Sequence, residues 1–407
     1  MKKHWVYLIL LLTFIIFSNS CEKYVTGIDP LIDQVEDELL NDEAEVNFVM
    51  IGVLTQFAET HTYCMVIADL LSDELFFTRK VKGSSYGSYE MIDAGIIQLD
   101  MSTIEGIETA IGRLRFFSDD LVDRVTNKIT FKASQTLKNE ALFTGHFFGG
   151  LARYYYAAYF GLDKNQGGGV IDGGEFIPSN DMYDLAIAKM ITSLDYASDE
   201  ATKRVVNSLI ARFYLYKADY VNAETFALIG MASGDDPYQV LYHESYNSNS
   251  YWSNAGIGRM QETVDFRFND YVTTDPLEAN RILITAIKGL DRKTYYRQEK
   301  YPLAESPADL MNWQENELML AELDIRDGGD GLTQINNVRT SHGLADLAAA
   351  DMNVLIVERD KELFVTGARL VDQRRFDAVY GTWHLDADTW HYLPITDNER
   401  NANPNIN

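Results

Sequence analysis

The sequence predicts a mainly α-helical fold, built from stacked helical hairpins and interrupted by long irregular loops. Three observations point there. Apolar residues recur at three- and four-residue spacing over most of the chain. No alternation of strand-like and helix-like segments marks a parallel sheet. Two stretches, 79–102 and 232–302, are crowded with Gly, Ser, Asn and Tyr and carry no clear period.

The N-terminus reads as an export signal. Lys2 and Lys3 precede an apolar run from Trp5 to Phe17, broken only by Thr13. The small or polar residues Ser18, Asn19 and Ser20 follow, and then Cys21. That is the order of a cleaved secretory signal. The run is too short to span a bilayer, which takes about 20 apolar residues. A Cys at this place resembles a bacterial lipobox, although the usual Leu before the cut is missing. The resemblance implies cleavage after Ser20 and a diacylglycerol on Cys21. The expected organisation is a signal peptide over 1–20 and one domain over 21–407.

Helical spacing begins at Glu43 and runs to Leu71. It resumes from Thr103 to Val125, where Ile104, Ile107, Ile111, Leu114 and Leu121 share a face. Leu137 to Phe160 is long, apolar and aromatic. Pro178-Ser179-Asn180 opens a further helix in which Tyr183, Ile187, Met190 and Leu194 line up. Two short helices are expected at Val205–Lys217 and Asn222–Met231. Helices return at Ala308–Leu323, Gly331–Thr340 and Met352–Thr366. The repeat helices thus occupy about 137–231 and 308–366, with loop-rich regions at about 79–102 and 232–302.

The pair around Tyr214 resembles a tetratricopeptide repeat. Ile210-Ala211 with Tyr214, then Ala223 and Ala227, match part of that pattern, whereas Asn207 stands where Trp is common. Small residues there let two antiparallel helices approach. One hairpin cannot bury its own face, so other helices must stack on it.

Composition narrows the function. The formal net charge is −26, from 35 basic and 61 acidic residues. Nucleic acid is not expected as a partner, because Lys and Arg drive phosphate binding. Only Cys21 and Cys64 are present, which excludes a disulfide framework if Cys21 carries lipid. Gly83-Ser84-Ser85-Tyr86-Gly87 fits a hydrolase nucleophile elbow, but the strand–helix context that motif needs is lacking. The seven His do not cluster; His384 and His391 are the closest pair. The run Asp324–Gly331 is calcium-like in composition, yet its acids fall every third residue rather than alternating. No catalytic residue, cofactor or metal site is expected.

The C-terminal third carries the most specific signal. Trp313–Leu323 ends in Ala321-Glu322. Ile335-Asn336-Asn337-Val338-Arg339 leads to His342-Gly343-Leu344. Glu358-Arg359-Asp360-Lys361-Glu362-Leu363-Phe364 is followed by Gly367-Ala368-Arg369 and Asp372-Gln373-Arg374-Arg375-Phe376. Tyr392-Leu393-Pro394-Ile395 precedes Asn403-Pro404-Asn405. In this order they resemble the SusD/RagB family of outer-membrane nutrient-uptake lipoproteins of Bacteroidetes. Ser341-His342 departs from a usual basic residue before the Gly.

The resemblance implies a SusD-like α-helical superhelix without catalytic activity, lipid-anchored at the cell outer membrane and exposed at the surface. It implies capture of an oligosaccharide for a SusC-like TonB-dependent transporter; a peptide-capturing or purely structural transporter subunit is the alternative. Ligand contacts in the family lie in loops outside the repeats. The two loop-rich stretches offer Arg79, Tyr86 and Tyr89, and Tyr246, Tyr251 and Trp252, as ligand-binding candidates. Aromatic faces beside amides and hydroxyls suit sugar rings. The charged signature itself reads as a folding device, with Arg369, Asp372, Arg374 and Arg375 locking the last helix to the repeats.

Overall fold

The computed structural model describes residues 36–380 and 386–406. Cys21, the signal segment 1–20 and His384 lie outside them. The helices are α1 (Val46–Leu71), α2 (Gly87–Asp93), α3 (Ser102–Asp123), α4 (Gln135–Tyr159), α5 (Ser179–Leu194), α6 (Glu200–Tyr216), α7 (Tyr220–Ala227), α8 (Ser250–Asn254), α9 (Phe266–Thr274), α10 (Trp313–Arg326), α11 (Leu332–Ser341), α12 (Met352–Glu362), α13 (Ala368–Tyr380) and α14 (Asp397–Ala402). The mainly helical architecture expected from periodicity is what the structure shows.

Helix α4 lies at the centre of the helical assembly. It touches α1, α3, α5 and α6 and is buried along most of its length. Its start is set by Ser134, whose hydroxyl accepts from the Leu137 amide. Glycines let its neighbours close in. A Cβ on Gly145 would sit 2.5 Å from Cγ2 of Val122 and 2.9 Å from the Ser118 carbonyl of α3. A Cβ on Gly150 would meet Met190 and the Ala186 carbonyl of α5 at 3.1–3.2 Å.

The hairpin α6–α7 packs as its sequence suggests. Ala211, Ala223 and Ala227 are buried, and Tyr214 stacks on Phe226 across the gap. The turn passes through Ala218 at φ 63°. Helix α10 then seals this hairpin. Arg212 of α6 holds Glu315 of α10 through two hydrogen bonds of 2.7 and 2.5 Å, both side chains being buried.

The charged C-terminal signature is structural at most of its positions. Arg359 grips Asp372 (2.7 and 3.1 Å), joining α12 to α13. Arg375 grips Glu322 of α10 (2.8 and 3.0 Å), and Arg369 reaches Asp73 after α1 (2.7 and 2.9 Å). Glu358 and Glu362 meet Arg281 from outside the repeats, and His342 bonds Glu362 at 2.8 Å. His342 therefore supplies the contact next to Gly343.

Residues 232–302 are not one irregular loop. They carry β5 (Tyr238–Val240), β6 (Glu262–Val264), β7 (Ile284–Lys288) and β8 (Thr294–Gln298), besides α8 and α9. Strand β6 pairs antiparallel with β1 (Leu75–Phe77), far upstream, in a four-stranded sheet of order β1-β6-β8-β7. The remaining short strands are β2 (Phe160–Gly161), β3 (Gly168–Gly169), β4 (Ile177–Pro178), β9 (Ala308–Met311) and β10 (Leu393–Pro394). The strands run two to five residues, too short for alternation to stand out, and their partners are distant in sequence. The 79–102 stretch likewise contains a helix, α2.

Candidate functional site

The β1–β6 pair draws two predicted loops together. The segment after β1 (78–90) lies against the segment before β6 (250–261). Gln261, buried, is the clasp. Its Oε1 accepts from the amides of Ser85 (3.0 Å) and Tyr86 (3.2 Å), and its Nε2 donates to the carbonyls of Gly83 (3.0 Å) and Arg259 (3.2 Å). Ser84 adds a bond from its hydroxyl to the Gln261 carbonyl, 3.0 Å. Three backbone groups of one loop and one of the other are thus satisfied by one amide side chain.

Above this clasp sits an exposed ledge. Tyr86 is 40% exposed. Arg259 donates to its hydroxyl at 2.8 Å and to Ser85 Oγ at 3.2 Å, and its guanidinium lies 4.7 Å from the ring centroid. Both contacts hold the tyrosine ring in one orientation. Tyr89 packs beside it with centroids 5.6 Å apart, and Asn254 of α8 donates to the Tyr89 hydroxyl at 3.0 Å. Arg79 and Glu90 flank the ledge as an exposed ion pair at 2.6 Å.

The sequence-predicted residues separate into two groups. Arg79, Tyr86 and Tyr246 are exposed and Trp252 is half-buried. Tyr89 (4% exposed) and Tyr251 (1%) are not on the surface. Tyr251 donates to Asp69 at 2.5 Å and stacks on Tyr301, so its ring belongs to the core. The polar run around it is explained by capping. Buried Asn249 accepts from the Tyr251 amide and donates to the Ser306 carbonyl, rooting α8. Tyr246 is 80% exposed and stacks on His243, centroids 4.3 Å apart. Among the described residues no hydrogen bond or ring contact joins that pair to Tyr86. Sequence reasoning missed Arg259, Gln261 and Asn254. The only signal for them was their place just before a strand that was itself not visible.

Beneath the ledge lies a group of buried acids. Glu262 is fully buried and its two carboxylate oxygens have no hydrogen-bond partner among the described residues. Burial, reinforced by Asp69 and Asp93, pushes its carboxyl well above the ordinary range. Asp69 is pushed up to about 7 by burial, against the pull of Tyr251 and the Gly367 amide. Asp93 is raised by burial to about 6. In each, burial favours the neutral form, because a bare charge there would be costly.

Ser85, at the nucleophile position of the Gly-x-Ser-x-Gly match, accepts from Arg259. The strand before it pairs antiparallel with β6. The Asp324–Gly331 run works as a turn: Asp324 accepts from the Gly331 amide at 2.9 Å, and Asp330 from Leu332 at 3.1 Å.

Helical hairpins sealed by a Glu-bearing helix, with a small sheet holding loops at one side, make up the SusD-type fold. No family model and no curated protein matches the chain, but solved structures do. A SusD superfamily protein from Bacteroides vulgatus ATCC 8482 superposes with a TM-score of 0.71 at 15% identity, covering 89% of this chain and 97% of that one. A SusD-like carbohydrate binding protein from the same organism gives 0.69 at 13% identity, over 89% and 97%. Surface glycan-binding protein A from Bacteroides uniformis gives 0.66 at 14%, over 89% and 98%. At these identities the likeness is one of fold.

Proposed function

We propose that this protein is a cell-surface glycan-binding lipoprotein without catalytic activity. It captures oligosaccharide and delivers it to a SusC-like TonB-dependent transporter in the outer membrane, to which Cys21 anchors it. The observation that carries the reading is the ledge. Tyr86 presents an exposed ring with Arg259 over one face and bonded to its hydroxyl, and Ser85, Arg79, Glu90 and Asn254 supply polar groups around it. That is a stacking platform with hydrogen-bonding neighbours, as an oligosaccharide requires. Relatives in fold described as carbohydrate- or glycan-binding support it.

The test is affinity electrophoresis against a panel of polysaccharides, followed by calorimetry on the one retained. Tyr86→Ala is expected to weaken binding about tenfold, as loss of an aromatic contact of about 1 kcal/mol or slightly more would. Unchanged affinity in both Tyr86→Ala and Trp252→Ala would remove the ledge from the proposal.

The alternative, a peptide-capturing or structural transporter subunit, has its own observation. Phe48 and Ile51 of α1, with Phe116 and Phe117 of α3, line an exposed apolar groove of about 560 Å³. A contiguous apolar patch of this kind marks macromolecular contact. Blank polysaccharide gels together with co-purification of a β-barrel would favour this reading.

A further inference from the structure

A second concave site lies on the repeat side, built from residues the ledge does not use. The end of α4, the first turn of α5, the α6–α7 turn, the end of α10 and the middle of α13 converge on a cavity of about 270 Å³. Its walls include Tyr183, Tyr216, Tyr220 and Tyr392, with Ser179 and Asn180 at the α5 end. Three guanidiniums also line it: Arg326, Arg374 and Arg375.

The charges do not cancel. Arg326 and Arg375 share Glu322, and Arg375 also bonds Asp372, which Arg359 already grips. Arg374 has no carboxylate among the described residues. It donates to two carbonyls, that of His391 at 2.8 Å and that of Ala158. Three lining guanidiniums, with Arg359 buried behind them, stand against the two carboxylates Glu322 and Asp372, in a chain whose net charge is −26. An excess of fixed positive charge in a concavity on an acidic protein focuses field on an anion.

Arg374 is laid flat on Tyr392, 4.1 Å from the centroid, and Arg326 on Tyr220 at 4.5 Å. A guanidinium offers five N–H donors, so Arg374, with two carbonyl bonds, keeps further N–H groups for an oxygen acceptor. We propose that this cavity binds the carboxylate of an acidic sugar, a hexuronic acid residue. Arg374 takes the carboxylate; Asn180, Ser179 and the tyrosines take the ring hydroxyls. The site is separate from the ledge and does not depend on it.

The experiment is calorimetry of the full soluble chain with galacturonic acid, galactose and inorganic phosphate in parallel, at two salt concentrations. Galacturonate is expected to bind at least about tenfold more tightly than either of the others, less so at high salt. Arg374→Gln is expected to lower that affinity about tenfold, with some loss of Tm from its two carbonyl contacts. Asn180→Asp places a carboxylate at the exposed lip, where a helix start tolerates it, and is expected to do the same. It decides the matter if Arg374→Gln does not fold. Tyr86→Ala is expected to leave galacturonate binding intact even if the ledge reading holds. Galactose or phosphate binding as tightly as galacturonate, no galacturonate binding, or wild-type affinity in folded Arg374→Gln or in Asn180→Asp would each overturn the proposal.

Discussion

Glu262 is a buried carboxyl group without a hydrogen-bond partner among the described residues, and it makes a sharp prediction. Its folded-state proton affinity exceeds that of the unfolded chain. The stability it lends is therefore complete below the unfolded carboxylate range and is lost as pH rises through the folded value. Asp69, at about 7, acts in the same direction. Glu262→Gln, which mimics the neutral acid, is expected to stabilise the fold by roughly 1–3 kcal/mol at about pH 8, with the gain shrinking toward about pH 4. Thermal melts across that range check it; a constant offset at every pH would count against a neutral acid. Arg212 shows the opposite case, a buried charge that is fully engaged. Replacing its partner, Glu315→Ala, leaves a guanidinium stranded and is expected to cost about 3–5 kcal/mol in denaturant unfolding.

Among the elements, the helices were readable and the strands were not. Tyr183, Ile187 and Met190 announce α5 by spacing alone, because a helix satisfies its own backbone within four residues. Strand β6 has three residues and a partner in β1 near the other end of the chain, so nothing local announces it. The same gap explains the site. Tyr86 and Trp252 were visible as aromatics in polar loops, but Gln261 and Arg259 acquire meaning only through β6. Tyr251 misled because its neighbour Asn249, which looks like a ligand group, is a cap. Packing of elements gives a further prediction. Gly145→Ala would drive a methyl into Val122 and the Ser118 carbonyl, forcing α3 and α4 apart. A loss of about 1–3 kcal/mol is expected in chemical denaturation, more than Ala's better helix propensity returns.

At the scale of the whole molecule, two groups of acids pull stability in opposite directions. Asp360 is held at about 2: burial alone would raise it, but Arg267 and Arg369 outweigh that. Asp372, Glu322 and Glu362 are likewise held below the usual range by their cationic partners, against burial. Their contribution is present above the unfolded carboxylate range and is lost as pH falls through the folded values. With Glu262 and Asp69 eroding stability from the alkaline side, Tm against pH is expected to trace a dome. Asp360→Asn should depress that dome most on its neutral side, because at low pH the wild type has lost the same ion pairs. Calorimetric scans over about pH 3 to 9 would show it.

The clasp at Gln261 also sets an order of events. Its acceptor bond to the Tyr86 amide spans 175 positions of the chain. A polypeptide that emerges N-terminus first cannot close that loop until most of its length is out. Closing it brings a large entropic penalty that only later contacts offset. The helical hairpins can form as they appear, whereas the ledge must wait for β6. During refolding, the native environment of Tyr86 should therefore return with the slowest phase, well after helical signal has returned. A chain built this way has no assembled ledge until its second half is present.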